Sequence, residues 1–145
     1  MITVRTCASA RGADQSPVFS CCTVPDKYQA LHYHRPQSAS QKSHWAITAA
    51  DECHTFCESR DSGWSDADGN YWFFGFESDP IGTRGEVLAH FPMPQNLSDP
   101  WHGFPISTAA KAFMRRVVPL SVIESWSNEP GMPKYLENRL RKRQL

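Results

Sequence analysis

The sequence predicts an α+β fold: a small, mainly antiparallel sheet of about 3–5 strands, with one helix after the first core strand and two or three C-terminal helices packed on it. Three observations predict it. Two apolar blocks rich in β-forming residues, Tyr71 to Phe76 and Val87 to Phe91, lie on either side of a loop holding Pro80, Gly82 and Gly85, which is the pattern of adjacent strands. Apolar residues spaced by three and four precede them over 49–60, and helical patterns follow from Ser107 onward.

A chain of 145 residues can bury roughly 68–70% of its unfolded surface in one core. The expected organisation is therefore a single α+β domain over 44–145, preceded by a partly ordered N-terminal arm, 1–43, that adds edge strands. Lys plus Arg equals Asp plus Glu at 15 each, but the balance conceals a gradient. Residues 1–50 hold 5 basic and 2 acidic side chains, 51–99 hold 2 and 10, and 100–145 hold 8 and 3. An acidic middle and a basic end either face one another in the fold or present charged surfaces to partners. There is no apolar run of membrane-spanning length and no basic region followed by an apolar stretch at the start, so a soluble, cytoplasmic protein is expected. Five cysteines at 7, 21, 22, 53 and 57 lack the spacing of a disulfide framework, and reduced thiols are expected.

The arm is rich in Ser, Ala, Pro and Gln and ends in the linker-like RPQSASQKS. Short edge strands are expected at 2–6 and 17–24. His32 and His34, with Cys21 and Cys22, do not have the paired spacing of a structural zinc site. His44 to Thr48 is a strand candidate, and Thr48 is placed to cap a helix over 49–60 because Asp51 follows three residues later. Ala49, Ala50, Cys53, Phe56 and Cys57 line one face of that helix. Cys53 and Cys57, with His54 beside them, are expected as small buried groups rather than ligands.

Asp66, Asp68, Asn70 and Glu77 occupy the first, third, fifth and twelfth places of a calcium loop, but Tyr71 stands where the sharp turn needs glycine. A tight Asp-Gly turn into a strand accounts for the same residues. In the strand 71–77, Tyr71, Phe73 and Glu77 alternate with Trp72, Phe74 and Phe76, which makes both faces apolar: the strand is covered on both sides, or one face binds a partner. The loop that follows Phe91, with prolines at 92, 94, 100 and 105, carries Trp101, His102 and Phe104. Ser107 or Thr108 then caps a helix through Val118. A second helix follows at Leu120 to Asn128, with a stripe of Leu120, Ile123 and Trp126, and Gly131 ends it. A last helix, Pro133 to Arg143, is anchored by Leu136 and Leu140. Its basic residues suggest a helix-turn-helix, but the NEPGMP spacer is loop-like and the pattern is generic.

Phosphate-binding glycine loops and nucleophile elbows are absent from the sequence. No cofactor and no metal is expected. The first functional expectation is a non-catalytic protein-binding module of the adaptor, inhibitor or immunity type, using an acidic central surface and the proline-rich aromatic loop. Trp101 and Phe104 would be the anchors, with Trp72, Arg84, Arg139, Arg141 and Arg143 as further binding residues. The alternative is a small metal-independent ribonuclease-like toxin or hydrolase, with His102, Asp99, Glu86 and His90 as acid and base groups and the basic C-terminal helix holding nucleic acid.

Overall fold

The computed structural model describes residues 9–11, 17–20, 27–31, 44–76, 78–96, 98–108, 117–130, 132 and 134–142. They form a small α+β fold with two antiparallel sheets. The first sheet has the order β1 (Ser9–Arg11), β2 (Pro17–Ser20), β3 (Lys27–Gln29). Helix α1 (Ala49–Asp61) separates it in sequence from the second sheet, β4 (Tyr71–Phe74), β5 (Leu88–Phe91) and β6 (Phe104–Ile106). Two short helices, α2 (Leu120–Ser127) and α3 (Lys134–Arg141), complete the described chain. Among the described residues no helix is long and apolar enough to cross a membrane.

Thr48 starts α1 as its spacing foretells: the hydroxyl accepts a hydrogen bond from the Asp51 N–H at 3.1 Å, satisfying one of the donors that a helix start leaves open. The apolar stripe is broader than expected. Cys53, Phe56 and Cys57 are buried, but so are Glu52, Thr55 and Ser59, whereas Ala50 is exposed. Small polar side chains can face the core because they bond to the helix itself: the Thr55 hydroxyl donates to Glu52 O at 2.7 Å and the Ser59 hydroxyl to Thr55 O at 2.8 Å. The other side of α1 can then be covered too, by β2 and β3 on one part and β4 on another.

The register of the second sheet pairs Tyr71 with Phe91, Trp72 with His90 and Phe73 with Ala89. Alternation therefore puts Tyr71 and Phe91 on the α1 side, where both meet the Phe56 ring edge-on at 6.0 and 5.4 Å. Phe74 faces the other way, 5.1 Å from Trp126 of α2. The aromatic strand is apolar on both faces because both are covered. Its outer edge is closed by the preceding segment, since the Trp72 N–H donates to Trp64 O at 2.9 Å.

Two expectations about strands are corrected. The proline-rich loop contains β6, with Pro105 opposite Ala89. Proline is admissible there because β6 is an edge strand, so a missing N–H need break no ladder bond. Residues 44–48 form no strand; Trp45 makes only an isolated bridge to Gly82, fixed by Ala46 N–H to Ile81 O at 2.7 Å and Thr83 N–H to His44 O at 3.0 Å. In the N-terminal segment β2 falls within the expected 17–24, while 2–6 and the linker lie outside the described residues. The helix expected from Ser107 or Thr108 through Val118 falls mostly on 109–116, also outside them. In α2 the buried stripe is Val122, Ile123 and Trp126. Leu120, expected to be part of it, is the first residue of the helix and is 56% exposed.

The interior is tied together by Tyr28. It is fully buried, stacks on Phe56 at 5.3 Å, and its hydroxyl donates to the buried Glu52 Oε1 at 2.7 Å. Burial, the Glu52 charge and this hydrogen bond hold the phenol well above its ordinary titration range, so it stays a donor. Its strand also bonds to the segment before β6: the Trp101 N–H donates to Lys27 O and the Gln29 N–H to Trp101 O, both at 2.7 Å. Next to Trp101, Gly103 is packed without room for a side chain. A Cβ there would lie 2.6 Å from Phe91 Cε1 and 2.7 Å from His90 O.

Two substitutions test this packing by chemical denaturation. Tyr28→Phe removes the hydrogen bond donated to the buried Glu52 carboxyl, at an expected cost of about 1–3 kcal/mol. Gly103→Ala overpacks a rigid ring and a backbone carbonyl, and is expected to cost about 1–3 kcal/mol. Unchanged midpoints for both variants would contradict the packing described.

Candidate functional site: an acidic cleft with aromatic walls

The end of α1, the turn after it, the end of β4 and the residues that follow α2 meet around a cleft of 220 Å³. Glu58 reaches it from the last turn of α1 and Ser62 as the residue that caps that helix. Trp64 is held in the wall by its backbone, which donates to Ser59 O at 2.9 Å and accepts from the Trp72 N–H. Its ring lies 5.0 Å from Phe74 and 6.2 Å from both Phe73 and Trp126. Phe73, Phe74 and Gly75 come from β4 and the residue after it, and Phe76 turns outward, half-buried, 6.5 Å from Phe74. Asp79, exposed on the next loop, and Glu129, half-buried beyond α2, close the rim. Glu129 Oε1 accepts a hydrogen bond from the Trp64 indole N–H at 3.3 Å.

Among the described residues, three carboxylates and no basic side chain line this cleft. Two of these acids belong to the acidic middle of the chain and one comes from beyond α2, and the aromatic rings stand beside them. Sequence reasoning singled out the aromatic cluster and the acidic middle but did not join them. Glu129 lies 65 positions from Trp64, and no local spacing marks such a meeting.

The expected anchors are placed differently. Phe104 is only 8% exposed and lies 5.6 Å from His90. Trp101 is half-buried, its ring 5.3 Å from Phe56 and 5.2 Å from Tyr71. Phe104 packs into the fold and Trp101 remains partly exposed, since β6 and the bridge to Tyr28 draw that loop inward. Trp72 is buried with its ring 4.3 Å from His90. Arg84 is exposed on the β4–β5 loop. Arg141 pairs with Glu137 at 2.9 Å one turn away on α3, and Arg139 is half-buried there. Arg143 lies outside the described residues.

The acid and base groups of the enzyme alternative come from β5, the β4–β5 loop and the proline-rich loop. Glu86 folds its carboxylate over its own turn, where Oε1 accepts the Arg84 N–H at 2.7 Å. Asp99 is exposed in the proline-rich loop, its N–H donating to Asn96 O at 3.0 Å. His90 is half-buried between Trp72 and Phe104. Burial lowers the titration of His102 below its ordinary 6.5, so its ring is neutral at neutral pH and carries no standing charge for a phosphate. His54 Nδ1 lies 3.6 Å from Asp51 Oδ1, and Cys53 and Cys57 are buried thiols with sulfurs 3.9 Å apart. Among the described residues no group of three His, Cys, Asp or Glu is placed to hold a metal ion.

The calcium-like residues form a self-satisfied turn. Asp66 Oδ1 accepts the N–H groups of Asp68 and Asn70 at 2.9 and 3.0 Å, while Oδ2 accepts the Trp72 indole at 2.9 Å and the Asn70 side chain at 3.1 Å. Asn70 Oδ1 then accepts the Met93 N–H at 2.9 Å. Gly69 sits at φ +86°, which the turn requires and a side chain would strain. Glu77, the last residue of the calcium pattern, lies outside the described residues.

Comparison of the chain with protein-family models, with curated proteins and with solved structures gives no match in any of the three. The site is therefore argued from its own chemistry.

The Asp66 turn makes a pH prediction. Partial burial alone would raise this carboxyl, but the hydrogen bonds from Trp72, Asn70 and Asp68 outweigh it and hold the group below its ordinary 3.8. A native value below the unfolded one means that the stabilisation is full above the unfolded value and is lost as pH falls through the native one. Asp66→Asn is accordingly expected to flatten the loss of stability below about pH 4, read as Tm against pH. An unaltered acid limb in this variant would contradict the assignment.

Proposed function

We propose that the protein is a non-catalytic protein-binding module whose contact surface is the acidic aromatic cleft, with a positively charged partner. The observation that carries this reading is the lining itself: three carboxylates from separate parts of the chain, aromatic walls and, among the described residues, no base. Aromatic side chains beside a charged rim suit an interface in which rings supply contact area and charge supplies orientation and encounter rate. The ribonuclease-like alternative has less support, because the Glu86 carboxylate is engaged in its own turn. An exposed ion pair also uses one of the arginines offered to a phosphate backbone.

The test is binding by the full chain after neutralisation of the rim. An Asp79→Asn, Glu129→Gln double variant, shown by circular dichroism to be folded, is expected to lose about tenfold or more in partner affinity, since each charge-assisted hydrogen bond contributes about 1.5–3 kcal/mol. Binding by the unaltered protein is expected to weaken as salt is raised. Equal affinity of the variant and the parent, with no salt dependence, would refute the cleft as the contact surface. Ribonuclease activity abolished by His102→Ala would favour the alternative.

A further inference from the structure

We draw no further inference here: the strongest candidate, the apolar groove between the start of α2 and the end of α3, lined by Val117, Leu120, Ile123 and Leu140, carries nothing because nothing in the structure shows what covers it.

Discussion

The fold depends on one buried hydrogen bond, Tyr28 to Glu52, and on the packing around it. A carboxyl in the interior is costly unless it is paired, and Glu52 on α1 meets a phenol whose own surroundings keep it protonated. The bond positions the N-terminal sheet on α1. The strand that carries Tyr28 is joined in turn to Trp101, and the chain then passes Gly103, which lies flat against Phe91. Such a pair contributes little net stability compared with well-packed apolar groups, but losing one partner is expensive.

The same packing positions the cleft. With α1 pinned at Glu52, its C-terminal end carries Glu58 and Ser62 to the end of β4, and Trp64 closes the outer edge of the sheet while packing against Trp126. The site is a seam between the α1 side and the α2 side of the second sheet, where Phe73 and Phe74 emerge from opposite faces at the strand end. Acids at such a seam have apolar neighbours and partial exposure, the combination in which charge exerts its field without a full desolvation penalty.

Periodicity made the local elements legible. Thr48 and Asp51 marked the start of α1, the alternation in 71–76 and 87–91 marked a hairpin whose register pairs Trp72 with His90, and Pro119 marked the start of α2. The antiparallel α+β class followed from their order. What was not legible depended on pairing across long separations. Phe104 to Ile106 reads as loop because of Pro105 and becomes a strand only because Ala89 offers it an edge. Tyr28 reads as part of a polar arm and is a core residue because Glu52 is opposite it. The same limit applied to the candidate site: Trp101 and Phe104 stand out in sequence as bulky residues on a rigid loop and pack on Phe56, Tyr71 and His90, whereas the meeting of Glu129 with Trp64 has no local signal.

The central claim is that this protein meets its partner at the acidic seam and not at the proline-rich loop. Mapping of backbone amide shifts on the isotopically labelled full chain, titrated with a basic peptide, tests it most directly. The account predicts changes confined to Glu58 through Trp64, Phe73 through Ile81, and Glu129. Changes centred on Asp99 through Phe104, with the seam unmoved, would contradict it.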